Sequence, residues 1–224
     1  MVSDKAVVEQ LPMALAFSCF AAQGIANSML GVAWPSIRST FGKPLDTLIV
    51  LLVSSTIGYI LGSLLSSRIM GWIGIGRSLL IGNILAAVGF LGYAISPEWW
   101  TMVILAALVG WTSGNIGASL NIYVAATRTV RSMNWMHAMY GVGATIGPLV
   151  MAAAIGLSAG WRLGYVVAAI IHLALGLCFV VVANRMDFQG IRNPAGGTGT
   201  MITTRPSATI RVPIVLLGIA LFML

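Results

Sequence analysis

Long apolar runs separated by short polar connections dominate the chain. Six of them, about 11–34, 47–67, 77–96, 99–126, 135–158 and 162–183, reach the ~20 residues a helix needs to cross ~30 Å of hydrocarbon. Transmembrane strands would instead alternate apolar and polar positions over ~10 residues. The pattern therefore predicts six transmembrane helices. A seventh run starts at Val212, with Pro213 in the favoured first turn, and reaches Leu224. Its rise of ~20 Å is too short to cross, so it reads as the start of a seventh helix and the chain as a fragment. The leading segment places Asp4 and Glu9 beside Lys5, and the run after it is too long for a cleavable signal.

Composition agrees with lipid as the solvent. Hydrophobic residues make up 58% of the 224 positions and charged ones 8%, against ~25% charged in a soluble domain. Mean hydropathy is +0.97. The net charge of +7 comes from basic residues scattered singly between apolar runs, which excludes a nucleic-acid-binding patch. Lys5, Arg68, Arg77, Arg128, Arg131, Arg185, Arg192, Arg205 and Arg211 fall on the tail or loops of one side, and Arg38, Lys43 and Arg162 on the other. By the positive-inside rule the N-terminus is cytoplasmic, in a plasma (bacterial inner) membrane. The expected organisation is a six-helix unit at 1–183, a cytoplasmic linker at 184–211 and the truncated helix at 212–224. The linker includes a Pro/Gly/Thr-rich stretch, Asn193 to Thr204, without apolar periodicity.

An internal repeat is visible. Gly24 to Arg38 in the first span matches Gly114 to Arg128 in the fourth, an offset of 90. Gly58 and Gly62 in the second match Gly143 and Gly147 in the fifth, and Arg77 matches Arg162, all at 85. Three spans per unit invert the second unit relative to the first, as in the inverted repeats of secondary transporters. Gly58/Gly62, Gly110/Gly114 and Gly143/Gly147 are small-xxx-small pairs that bring helix backbones close. Pro148 is expected to kink the fifth span.

Three segments carry a family resemblance: Gly31-Val-Ala-Trp-Pro-Ser-Ile-Arg38, Gly58-Tyr-Ile-Leu-Gly-Ser-Leu-Leu-Ser-Ser-Arg68 through Gly74-Ile-Gly-Arg77, and Met133-Asn-Trp-Met-His through Gly147-Pro148. The chain resembles the N-terminal half of the major facilitator superfamily (MFS), in its fucose and glucose/galactose permease branch. The resemblance implies an all-α, MFS-type six-helix bundle of two inverted three-helix repeats, transporting a small polar, sugar-like solute by alternating access. It also implies a gating loop 2–3 signature at Gly62, Arg68, Gly74, Gly76 and Arg77. Where that signature carries an aspartate, this chain has Ser66 and Ser67. Where the fourth span of the family carries an acid, this chain has Gly117, and Asn27 stands at the corresponding place in the first span. All five acids, Asp4, Glu9, Asp46, Glu98 and Asp187, fall in tails, loops or helix ends.

Polar residues within hydrocarbon should face an interior or a cavity. At 100° per residue Phe20, Gln23, Asn27 and Trp34 share one face of span 1. Gly110, Gly114, Gly117 and Asn121 share one face of span 4, while Trp111, Asn115 and Ser119 form an opposite one. Asn134, His137, Tyr140, Gly141, Thr145 and Pro148 share one face of span 5. Amides, imidazole and rings suit hydroxyl recognition and stacking on apolar sugar faces. Gln23, Asn27, Asn121, Asn134, His137 and Tyr140 are thus the expected solute-binding residues. Interhelical hydrogen bonding is the competing role for the amides. His172 reads as a satisfied packing residue, and Trp99 and Trp100 as an interfacial belt.

No nucleophile-plus-base set or metal-ligand spacing occurs, and Cys19 and Cys178 read as apolar core residues. Gly196-Gly-Thr-Gly199 lacks the lysine and setting of a phosphate loop. Neither enzyme chemistry nor a cofactor is expected. The expected partners are a small-molecule solute, the lipid bilayer and a C-terminal half of the same protein. The alternatives are a transporter-derived sensor or scaffold, and a six-helix half-transporter that dimerises.

Overall fold

The computed structural model describes residues 11–157 and 160–183. The linker and seventh-helix expectations, 184–211 and 212–224, lie outside the described residues. Six long helices form: α1 (Met13–Thr40), α2 (Leu48–Ile73), α3 (Ile75–Ile95), α4 (Trp99–Thr127), α5 (Val130–Gly156) and α6 (Gly160–Ala183). A 3-10 turn, Leu45–Thr47, precedes α2. All six are long and apolar enough to cross a membrane. Their outward residues fit lipid as solvent: α2 alone exposes Leu52, Val53, Ile57, Ile60, Leu61 and Leu64. This is a multi-pass membrane protein with an all-α fold.

Helix ends depart from the apolar runs in an orderly way. Counting apolar residues stops span 1 at 34, whereas α1 runs through Pro35 to Thr40. Proline removes a single donor, and the last turn holds without it; Thr40 Oγ1 donates to the Ser36 carbonyl at 2.9 Å. α2 likewise continues through Arg68, whose head can reach the interface while its stem lies along apolar surface. The expected loop 2–3 is therefore a correction. Gly62 and Arg68 lie in α2, Gly76 and Arg77 in the first turn of α3, and the connection is Gly74 alone. Gly74 has φ +81°, and its N–H caps the Met70 carbonyl at 2.9 Å. α5 starts five residues earlier than expected, at Val130. There the Thr129 hydroxyl caps the Ser132 N–H, so Asn134 lies in the opening turns.

Each helix reverses the chain. The start of α1, Gly74, the α4–α5 connection and the end of α6 therefore share one side, here the N-terminal face. The other three connections share the distal face. Two apolar clusters fill the interior. Trp34, Ile37, Trp99, Trp161 and Tyr165 belong to one, and Leu11, Cys19, Phe20, Leu79, Tyr123 and Phe179 to the other. Trp99 corrects the expected belt. It is buried against Trp34 and Phe41, with ring centroids 5.9 and 6.1 Å away, and only Trp100 of the pair is exposed.

The helices pack chiefly as α1 with α5, α2 with α4, and α3 with α6. Exchanging helices 1–3 for 4–6 turns the first pair into the second and the third into itself, which is the arrangement a two-fold relation requires. Glycines set the closeness of approach. A Cβ on Gly24 would strike the backbone of Tyr140, one on Gly143 that of Ala21, and one on Gly147 that of Ile25. In the other pair, Gly110 meets the backbone of Ser55, Gly58 that of Ala107, and Gly62 that of Trp111. The two sets coincide when α1 maps to α4 at an offset of 86 and α2 to α5 at 85. Gly24 is thus equivalent to Gly110, one turn from the Gly114 that matches it in sequence. Small residues recur every four positions along these helices, so a one-turn slip looks nearly as good on paper, and the backbone contacts decide. Gly114 has its own contact, with the backbone of Tyr59 and with Ser63. α5 runs through Pro148 without interruption.

Gly143 and Gly141 lie on the same helix, but a Cβ at Gly141 meets nothing within 4 Å. Gly143→Ala should destabilise the bundle by about 1–3 kcal/mol, because two backbones must part. Gly141→Ala should be neutral or stabilising by up to about 1 kcal/mol. Unfolding midpoints in detergent micelles compare them, and equal effects would contradict the close approach.

Candidate functional site

A seam of uncharged polar residues runs between α1 and α4. Near mid-helix the Ser113 hydroxyl donates to Asn27 Oδ1 at 3.5 Å. At the offset of 86 these two residues are equivalent, so the pair lies on the pseudo-two-fold axis. One turn toward the N-terminal face Gln23 stands opposite Gly117: a Cβ added to Gly117 would have Gln23 Oε1 as neighbour at 3.8 Å. Gln23 is 6% exposed, and its Nε2 has no hydrogen-bond partner among the described residues. A turn further on, Asn121 buries an unpartnered Oδ1. An unmatched buried amide is costly in hydrocarbon, so such groups mark places where water or a solute can supply the missing bonds.

A cavity of about 240 Å³ adjoins the distal half of this seam. Asn27 of α1, Ser55, Thr56 and Tyr59 of α2, Gly110 and Ser113 of α4, Phe90 and Tyr93 of α3, and Tyr165 of α6 line it. Among the described residues the acids are Asp46 and Glu98, both in connections on the distal face. The seam and cavity are therefore neutral, with donors, acceptors and rings but no carboxylate.

Sequence reasoning and geometry overlap in part. Gln23, Asn27 and Asn121 come together along the seam. His137 lies beside α1, its ring edge-on to Phe20 at 5.2 Å. Tyr140 is partly exposed on α5 and places its backbone against Gly24, while Asn134 is exposed near the N-terminal face. Trp34, on the same face of α1, is buried, and its Nε1 donates to the Leu45 carbonyl at 3.1 Å. The two faces of α4 are now resolved. Asn115 donates to Ser78 Oγ of α3 at 3.3 Å and is interhelical glue, while Ser119 on the same face buries a hydroxyl with no partner among the described residues. Gly110 and Gly114 face α2, and Gly117 faces α1. Ser66, in the place of the signature's aspartate, is buried and donates to the Ser63 carbonyl within its own helix at 2.7 Å. Arg68 and Arg77 are exposed at the N-terminal face.

The residues missed are Ser113 and the hydroxyl groups of α2, Ser55, Thr56 and Tyr59. Their signal was weak: polar positions in an otherwise apolar span, unconnected to any motif. Tyr165 was also missed. His172 is only half satisfied. Its Nδ1 pairs with Asn83 Oδ1 at 3.0 Å and its ring stacks on Phe90 at 5.4 Å, but Nε2 is buried without a partner among the described residues.

Paired inverted repeats of membrane-spanning helices are an architecture found in many secondary transporters. The sequence profile described as Major Facilitator Superfamily matches residues 16–224, and the chain belongs to that family. It is also similar to the glucose/mannose transporter GlcP of Bacillus subtilis (strain 168), with 21% identity over 151 residues. That match covers 66% of this chain and 37% of the relative, so the chain spans well under half of the relative's length.

The Asn83–His172 pair yields a stability prediction. Asn83→Leu leaves His172 without its remaining partner and should cost about 1–3 kcal/mol, read as a lower unfolding midpoint. Asn83→Leu with His172→Phe should recover most of that loss, since neither polar group is then buried unpaired.

Proposed function

We propose that this protein moves a small, neutral, polar solute of the sugar class across the membrane by alternating access. The observation that carries the reading is the neutral seam on the pseudo-two-fold axis of an inverted repeat. Such an axis makes the N-terminal and distal sides of the bundle near-equivalent, so small rocking can open either in turn. Gln23, Asn27 and Asn121 supply amide donors and acceptors there, and His137 and Tyr140 of α5 flank them, with Asn134 nearer the N-terminal face. The name of the Bacillus subtilis relative supports a hexose as the solute. Uncharged groups recognise hydroxyls without selecting for charge, and the seam offers no carboxylate to carry a coupled proton. Transport is then facilitative, or secondary-active with its coupling group in the second half.

In this reading residues 1–183 are one half of the carrier, 184–211 a cytoplasmic linker and 212–224 the opening of a seventh helix. A second six-helix half completes the wall of the path. The excess of arginine on the side of the N-terminal tail supports a cytoplasmic N-terminus in a plasma (bacterial inner) membrane. Gly74, with Arg68 in the last turns of α2 and Gly76 and Arg77 opening α3, then forms the cytoplasmic gating turn, without the usual acid, while Gly62 sets the packing of α2 behind it.

Proteoliposomes made from the complete gene product should show saturable uptake of D-glucose or D-mannose. Gln23→Ala and Asn121→Ala should each lower the rate about tenfold while leaving the unfolding midpoint near that of the parent. Solute binding without any flux would point instead to a transporter-derived sensor, and neither binding nor flux would remove the sugar assignment.

A further inference from the structure

The two ends of the α1–α4 seam are tied by different arginines. At the N-terminal face the N–H of Leu11, one residue before the cap of α1, donates to Tyr123 Oη at 2.8 Å. The Leu11 carbonyl accepts from Arg128 Nη2 at 3.1 Å, so the start of α1 is held to the end of α4. At the distal face the opening turn of α6 does the tying. Trp161 Nε1 donates to Thr40 Oγ1, at the end of α1, at 3.0 Å, and Arg162 Nη2 donates to the Ser96 carbonyl, just ahead of α4, at 2.9 Å. The two-fold relation sets these ends against each other. Arg162 is the third residue of α6 and Arg77 the third of α3, related at the offset of 85. Ser96 stands one residue before the position related to Leu11 at the offset of 86. The mate of the Arg162–Ser96 contact is therefore Arg77 with Leu11, yet Arg77 is exposed and bonds to no described residue. Lys43, one residue past the two-fold position of Arg128, is the corresponding cation for Ser96.

We infer that Arg77 and Arg162 are alternating latches, each engaged in the state that closes its own end of the seam. Inverted units reach their second state by exchanging conformations, because each then stands as the other stood. Here the unit α4–α6 has its latch engaged at the distal face, and the unit α1–α3 has its own released. In the exchanged state Arg77 takes the Leu11 carbonyl, Arg162 lets Ser96 go, and Lys43 holds Ser96 as Arg128 now holds Leu11. The present contacts suit such a handover. Arg128 and Arg162 each bury an Nε with no partner among the described residues, so neither guanidinium is used up by its carbonyl. A carbonyl oxygen has two lone pairs, so Leu11 can accept from Arg77 before Arg128 withdraws. The inference rests on the alternating-access reading above and adds to it the positioning residues that set which side is open.

Thr56, exposed on the distal half of α2, serves as the reporter position. Thr56→Cys is placed in the complete protein, with Cys178 and any other reactive cysteine replaced by serine, in liposomes of known orientation. A membrane-impermeant maleimide is then applied from the distal face. Arg162→Gln should speed labelling about three- to tenfold, and Arg77→Gln should slow it by a similar factor, as one charge-assisted hydrogen bond biasing two states would do. Arg162→Lys, which keeps a charged donor, should label at nearly the parent rate. Damage to folding alone would move the two glutamine variants in the same direction. Unchanged rates, or shifts of one sign, would overturn the latches. D-Glucose flux in the same liposomes separates the two readings. Opposite shifts without flux would keep the latches and remove the sugar assignment, whereas flux without opposite shifts would do the reverse.

Discussion

Backbone-to-backbone approach at glycine is the constraint on which the rest of this bundle depends. Lipid tails are as apolar as leucine, so the membrane gives little hydrophobic drive for helix association. Close packing and interhelical hydrogen bonds must supply it. Gly24, Gly143 and Gly147 let α1 and α5 touch through their main chains, and Gly58, Gly62, Gly110 and Gly114 do the same for α2 and α4. These contacts fix the height of each helix against its partner. They therefore fix which polar residues meet at the centre, including Asn27 with Ser113.

Around that frame the polar groups divide into two kinds. Some are fully spent on structure: Asn115 ties α4 to α3, Ser66 bonds within its own helix, and the Trp161 indole donates to Thr40. At the distal face Arg162 holds the Ser96 carbonyl at 2.9 Å and covers the Trp161 ring, joining two connections. At the N-terminal face Arg128 holds the Leu11 carbonyl at 3.1 Å. The second kind keeps bonding capacity in reserve. Among the described residues Gln23, Asn121 and Tyr165, along the seam or its cavity, each bury an unpartnered atom, and so do Ser119, His172, Arg128 and Arg162 elsewhere in the bundle.

The helices and their number within the described residues were legible because apolar run length is set by bilayer thickness, which any stretch of sequence must meet alone. The three-plus-three repeat was legible too, since glycine pairs and the Arg77/Arg162 match recur at one spacing. Its register between α1 and α4 was not, although the offset of 85 between α2 and α5 was. Gly24 and Gly114 resemble one another in sequence, yet the main chain of α5 meets α1 at Gly24 as that of α2 meets α4 at Gly110. Of the solute-binding expectations, Gln23, Asn27 and Asn121 converge because amides in an apolar span have few places to go. Ser55, Thr56, Tyr59 and Tyr165 escaped notice because hydroxyls are common in membrane helices as backbone-bonded neighbours.

Sequence alone determined that the chain crosses a membrane, that its first three spans and its next three are inverted copies and that these six described helices carry no carboxylate in their interior. These are properties of single residues and of local runs, so no partner helix is needed to read them. Tertiary structure alone decided which face of α4 looks inward, which tryptophan is core and which is surface, and where bonding capacity is left unspent. Each of these depends on what stands across a helix interface. In lipid, hydrophobicity no longer separates inside from outside, so a helix wheel cannot settle the matter; only the neighbour's position can.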